Sequence, residues 1–180
     1  MMIGTVSDTL GILDEWLFRF LSEYHTPFGI KCMVYVSDFF DPVHLAMYTV
    51  ALVLLLWLQK KDTHLLQFSF AMLSGAFSIF VLKYGFKLPR PEHALITESG
   101  YTFASGHAGI SVIFFLLIAH AYKSHIQNRF LRYLFVSLCV GLIILVGLSR
   151  VYLGVHYFTD VIAGFAVGAI IFAISVLFFK

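Results

Sequence analysis

Charged side chains are scarce in this sequence. Of 180 residues only 12% are Asp, Glu, Lys or Arg, while 60% are hydrophobic and 17% aromatic. A soluble domain carries about twice that charge, so a globule surrounded by water is excluded. A net charge of +2 is too small for a nucleic-acid binder, and no nucleic acid is expected as a partner. Cysteine is nearly absent: Cys32 precedes the first long apolar stretch and Cys139 falls inside another, which speaks against a disulfide between them. A basic start followed by an apolar core is missing too, since the first Lys or Arg is Arg19. Insertion is therefore expected to rely on the internal apolar stretches and not on a cleaved leader. There is no internal repeat and no low-complexity tract.

Long apolar runs dominate what remains. Stretches 43–58, 65–82, 107–122, 133–148 and 161–179 contain no Asp, Glu, Lys or Arg. At 1.5 Å per residue they approach or match a hydrocarbon core of about 30 Å; the first is short and borrows from its flanks. Residues 1–42 differ. Leu10, Leu13, Leu17 and Leu21, with Phe18 and Phe20, recur at helical spacing, with Asp14, Glu15, Arg19 and Glu23 at intervening positions. That pattern predicts an amphipathic helix on or against the membrane. Pro27 and Pro42 bracket a segment, 28–40, that is too polar at Lys31 and Asp38 to span comfortably. The expected architecture is a single all-α domain over 1–180. Residues 1–42 form its interfacial region, and 43–180 form a polytopic membrane bundle of about five helices.

Loop charges suggest an orientation. Lys60, Lys61, Lys123, Arg129, Arg132 and Lys180 all fall on one side, which the positive-inside rule makes cytoplasmic. The other side receives the N-terminal region, with six acidic residues against Arg19 and Lys31, and the loops 83–106 and 149–160. Those loops also carry Lys83, Lys87, Arg90 and Arg150, against the rule, and a bound anion would explain why. Within the spans Ser74, Gly75, Ser78, Gly141, Gly147 and the pair Gly164 and Gly168 provide small faces. Such spacing lets helices approach closely, and internal bundle packing is expected there.

The stretch "SRVYLGVHYFTD" concentrates polar chemistry beside an apolar run. His156 and Asp160 are four apart, so on a helix they would share a face. A carboxylate there fixes the imidazole tautomer and leaves the second ring nitrogen as nucleophile. Arg150 precedes them, with Gly154 allowing a turn back, and a guanidinium suits bidentate contact with phosphate. On the same side, "KYGFKLPRP" supplies Lys83 and Arg90, and "ASGH" supplies Ser105, Gly106 and His107 where a span begins. A Ser-Gly turn at a helix start offers amides and a hydroxyl to an anion. His107 beside it is placed to give a proton to a leaving oxygen. Singly, each feature reads as an interfacial anchor, a packed histidine or a plain helix cap. Together, on one face, they read as a phosphate site.

At these residues the chain resembles the type 2 phosphatidic acid phosphatase family, the membrane relatives of vanadium haloperoxidases. K-x6-RP matches Lys83 to Arg90-Pro91, PSGH matches Ala104-Ser105-Gly106-His107, and SR-x5-H-x3-D matches Ser149-Arg150, His156 and Asp160. Ala104 replaces a proline, which removes a rigid turn residue and no functional group. The resemblance implies that His156 becomes a phosphohistidine, oriented by Asp160. It implies that His107 serves as acid and then base, and that Lys83, Arg90, Ser105, Gly106 and Arg150 hold the phosphoryl oxygens. It implies a hydrolase without metal or other cofactor, acting on a lipid phosphate in the bilayer.

Candidate substrates are undecaprenyl pyrophosphate, phosphatidylglycerol phosphate, phosphatidic acid and lipid A phosphates. The N-terminal helix inclines the reading toward the first. The expected place is a bacterial inner membrane, with the site at its periplasmic or extracytoplasmic face. A lipid phosphotransferase using the same phosphoenzyme, or a non-catalytic lipid-phosphate transporter, is the alternative. Lys87 and His93 are possible further substrate contacts. Glu92 and Glu98 are expected to be solvated loop residues. No metal site is expected among His25, His44, His64, His93, His120 and His125.

Overall fold

The computed structural model describes residues 2–179, and side chains from residue 11 to 179. Its elements are seven α-helices: α1 (Met2–Ser22), α2 (Pro27–Phe39), α3 (Pro42–Leu58), α4 (Asp62–Phe86), α5 (Gly106–Tyr122), α6 (Arg129–Tyr152) and α7 (Phe158–Phe178). A short 3-10 turn, Lys123–His125, follows α5. No strand occurs among the described residues. Helix starts follow from the sequence: Thr26, Asp41, Ser105 and Asn128 each offer a side-chain oxygen to a first-turn amide, and Pro27 and Pro42 occupy N1.

Four helices, α4 to α7, are long and apolar enough to cross a membrane; α2 and α3, bent by 45° at their junction, make a fifth span if taken together. Segment 28–40 is thus a helix continuing into the bundle, where the sequence predicts a polar interlude. Its apolar residues Ile30, Met33 and Val34 pack on Tyr152, Leu153 and Val155, which leaves Lys31 and Asp38 outward. The observed helices also exceed the uncharged stretches at their ends, so Lys83 and Arg150 belong to last turns of α4 and α6.

Helix α5 is the axis of the bundle. Of its most apolar window 72% is buried, against 22% to 39% for the other three long helices. Apolar burial gives no driving force between helices already in lipid, so close packing must hold them. The glycines of α7 allow it: a Cβ on Gly164 would lie 2.5 Å from the carbonyl oxygen of Ser105, and one on Gly168 2.5 Å from that of Gly109. Either alanine would collide with backbone. The amphipathic helix α1 lays Leu17 and Leu21 on Ala108, Val151 and Val161. Its outer face carries Trp16 and Phe20, and Tyr24 in the turn that follows continues the aromatic series, with successive ring centroids 5.8 and 5.3 Å apart. Asp14 turns inward and is buried.

Alternating helix directions put the ends of α4 and α6 and the starts of α5 and α7 at one end of the bundle. The connections bearing Lys60, Lys61 and Lys123, and the start of α6 at Arg129, lie at the other, where Lys61 Nζ sits 5.7 Å above the Tyr122 ring.

Candidate active site

The chain leaves α6 at Tyr152 and enters α7 at Phe158, and the five residues between carry the centre. Gly154 takes a positive φ of 66°. A Cβ there would lie 2.8 Å from Phe18 and 3.0 Å from the carbonyl of His93, so the turn requires glycine. The chain folds back until the amides of Val155 and His156 both donate to the Arg150 carbonyl, at 3.2 and 3.4 Å.

His156, 3% exposed, does not lie on a helix with Asp160, contrary to the sequence-based expectation. It precedes α7, and Asp160 stands in that helix's first turn. The two still meet, with Nδ1 3.5 Å from Asp160 Oδ2. The closer link runs through Thr102. Its hydroxyl donates to Asp160 Oδ2, and its Oγ1 is 3.0 Å from His156 Nδ1. A hydroxyl that spends its hydrogen on the carboxylate has an oxygen left to accept, so Nδ1 carries the imidazole hydrogen. Arg90 gives the same answer independently: its Nη1, which can only donate, is 3.4 Å from Nε2. Nε2 therefore bears the lone pair. The Tyr157 amide also donates to Asp160 Oδ2, at 2.9 Å, and fixes the carboxylate.

Three cations surround this ring. Burial, joined by the fields of Arg150, Arg90 and Lys83, pushes the His156 pKa down to about 4 against the contact with Asp160. The shift favours the neutral ring. Arg90 is held by backbone, donating to Gly100 (3.1 Å), Val155 (2.9 Å) and Ser99 (3.0 Å). Lys83 Nζ donates to the Tyr101 carbonyl at 2.6 Å. Arg150, fully buried, donates to Ser37 and to Glu98, and its Nε has no partner.

Glu98 corrects the reading of a solvated loop residue, because its carboxylate also reaches Arg90 at 3.5 Å. Burial opposes the charge on Glu98, yet Arg150 and Arg90 outweigh it and keep the carboxyl below its ordinary range. Three cations against Glu98 and Asp160 leave an excess of positive charge.

The start of α5 completes the site. Ser105 caps it, with Oγ 3.5 Å from the Ala108 amide, and its own amide donates to the Asp160 carbonyl at 3.0 Å. The amides of Gly106 and His107, in the first turn, have no acceptor within the helix. His107 is buried, and its Nε2 lies 3.3 Å from Asp41 Oδ2.

The structure thus brings Lys83, Arg90, Ser105, Gly106, His107, Arg150, His156 and Asp160 to one end of the bundle. Lys87 is the exposed left-handed cap of α4 (φ 50°), and His93 is stacked on Phe18 at 5.4 Å. Glu92 is exposed, as expected. Sequence reasoning passed over Thr102, Asp41, Ser37 and the inward role of Asp14, which accepts from the Thr159 amide (3.0 Å) and hydroxyl (2.7 Å). The Asp-Pro pair at 41–42 is a helix-start signal that could have marked Asp41; nothing local marks the others. Among the described residues no group of three or more His, Cys, Asp or Glu is arranged to hold a metal.

Fold and site together define an all-α integral membrane protein with a buried histidine–carboxylate centre ringed by cations. The chain belongs to the PAP2 superfamily, whose family model matches residues 64–180. It is 39% identical over 94 residues to phosphatidylglycerophosphatase B of Bacillus subtilis, covering 51% of this chain and 46% of that one. The alignment therefore spans about half the length of that curated relative. The crystal structure of a transmembrane PAP2-type phosphatidylglycerolphosphate phosphatase from Bacillus subtilis superimposes with a TM-score of 0.82 at 26% identity, over 94% of this chain and 86% of that one. Aquifex aeolicus LpxE shares the fold, with a TM-score of 0.74 at 20% identity over 92% and 95% of the two chains.

Proposed function

We propose that the protein is a membrane lipid phosphatase that works through a phosphohistidine. The observation that carries this is the geometry of His156, whose Nδ1 is engaged by Thr102 and whose Nε2 faces Arg90, with Lys83 and Arg150 also acting on the ring by their charges. Nε2 attacks phosphorus while the bond from phosphorus to the lipid oxygen breaks and His107 delivers its proton to that oxygen. His107 then takes a proton from water, whose oxygen bonds to phosphorus as the phosphorus–nitrogen bond breaks. Inorganic phosphate leaves. Fixed cations, the Arg150 Nε, the Ser105 hydroxyl and the Gly106 amide stabilise the charge gathering on the phosphoryl oxygens. They supply what a metal ion supplies in other phosphatases, and the reaction is proposed to need none.

An apolar cavity of about 360 Å³ between α3 and α4, lined by Pro42, Ala46, Val50, Val53, Met72 and Ile110, supports a substrate with an apolar part. Pro42 adjoins Asp41, so this cavity begins beside the His107 end of the site. The relatives' names favour phosphatidylglycerol phosphate over undecaprenyl pyrophosphate, to which the sequence reading inclines. The charge asymmetry of the loops supports a site at the periplasmic or extracytoplasmic face of a bacterial inner membrane.

The test is phosphate release by purified protein from a panel of lipid phosphates in mixed micelles, with chelator present and His156→Ala as control. Release that persists in chelator and is lost in the variant is expected. Absence of release from every lipid, or turnover restored only by magnesium, would overturn the proposal. Label appearing on a second lipid instead of in inorganic phosphate would indicate a phosphotransferase.

A further inference from the structure

The reaction proposed above asks His107 for two opposite states, an imidazolium as the lipid oxygen leaves and a neutral base as water attacks. The charged state has little support from its surroundings. The ring is 8% exposed, and it stands at the N-terminal end of α5, where the helix dipole adds positive potential. Arg150 and Glu98 act on it by their charges from further off. The group in contact with it is Asp41, whose Oδ2 lies 3.3 Å from Nε2.

Asp41 belongs to none of the three motifs, yet it is held with care. Its Oδ1 accepts the Val43 amide at 2.7 Å as the N-cap of α3. Its own amide donates to the Asp38 carbonyl at 3.2 Å, and its carbonyl accepts from Leu45 at 2.9 Å. Pro42 fixes the next φ and adjoins the start of α5, where a Cβ on Gly106 would lie 3.8 Å from Pro42 Cγ. His44, in the first turn of α3, is also near the carboxylate and is exposed. Capping α3 needs one carboxylate oxygen. The second faces His107.

We propose that Asp41 is the positioning residue of His107: it accepts the Nε2 hydrogen, leaves Nδ1 for the reacting oxygen, and holds the imidazolium until the proton is delivered. This rests on the phosphatase reading. A carboxylate with Nε2 as its partner fixes the ring tautomer in the second step as well, because the nitrogen that must take a proton from water is then Nδ1.

Asp41→Asn tests the role while keeping the fold, since asparagine caps a helix as well as aspartate does. Phosphoenzyme formation is followed by rapid quench with two substrates, phosphatidic acid in mixed micelles and 4-nitrophenyl phosphate. The lipid alkoxide needs a proton to leave; the nitrophenolate does not. Asp41→Asn is expected to slow the lipid reaction by roughly 10- to 100-fold and to stay within about threefold of the parent on the aryl phosphate. Asp41→Glu, which retains the carboxylate, is expected to recover most of the loss. Asp41→Ser, another good cap, repeats the measurement should the asparagine variant fail to fold. Equal loss on both substrates, or loss on neither, would overturn the proposal. Its failure is distinct from that of the parent reading, which falls if no lipid releases phosphate, if magnesium alone restores turnover, or if His156→Ala still forms a phosphoenzyme.

Discussion

Thr102 Oγ1 stands 3.0 Å from His156 Nδ1 while its hydroxyl hydrogen goes to Asp160, so the carboxylate reaches the imidazole chiefly through a threonine. Thr102→Val keeps the shape and removes the relay, leaving a buried Nδ1–H with Asp160 at 3.5 Å as its remaining partner. An unmade buried hydrogen bond costs about 1–3 kcal/mol, or roughly 10- to 100-fold in rate if the cost falls on the transition state. Rapid quench should show phosphoenzyme formation slowed by that factor, with Thr102→Ser close to the parent. An unimpaired valine variant would show that the direct contact suffices.

His156 should stay neutral far into acid. Unfolded, its ring titrates near the ordinary 6.5; folded, burial and the neighbouring cations move this to about 4. Between those values only the unfolded chain binds the extra proton, so this group removes stability as pH falls from 6.5 toward 4. NMR of labelled histidine should show the His156 ring unchanged from pH 8 to 5.5. A midpoint near 6.5 would contradict the reading.

Glu98 lies against Arg150 and Arg90, where the proposed mechanism puts phosphoryl oxygens. Glu98→Gln keeps an oxygen for Arg150 and removes the negative charge. Inhibition by orthovanadate, a mimic of the phosphoryl transfer state, should strengthen about tenfold, the size of one screened charge interaction. An unchanged or weaker inhibition constant would mean that the carboxylate does not compete for the guanidinium groups.

Asp14 ties α1 to the first turn of α7 by two hydrogen bonds from Thr159. Asp14→Ala should lower stability by about 1 kcal/mol, the usual effect of losing a helix-start acceptor. Thermal unfolding in detergent would reveal it as a lower midpoint. An unaltered midpoint would reduce α1 to a surface attachment.

The eight candidate site residues that meet at one end of the bundle could be picked out in the sequence because their spacing is local and their residue types are rare in so apolar a chain. Their partners were not. Arg150 meets Ser37 and Glu98, His107 meets Asp41, and Thr159 meets Asp14 across stretches that no periodicity relates. These contacts exist only once α1, α2, the start of α3 and the loop between α4 and α5 close over the end of the bundle. The bend at 40–42 shows the same limit: two prolines bracket segment 28–40, but its inward face is set by Tyr152, Leu153 and Val155 at the far end of the chain. The small-residue pair Gly164 and Gly168 was readable as a packing face, and its partner, the backbone of α5, emerged only with the helices assembled.

That glycine seam makes α5 and α7 behave as a single girder. His107 and Asp160 project from its adjoining ends, joined there by the Ser105 amide and the Asp160 carbonyl. Separating the ends would mean sliding backbone past backbone where even one methyl group has no room. Helix α4 meets α5 through side chains instead, with a Cβ on Gly75 falling 2.2 Å from Ile113 Cδ1, the end of a side chain that can turn. A stiff backbone-to-backbone contact of this kind fixes the spacing between His107 and Asp160 whatever the side chains around it do.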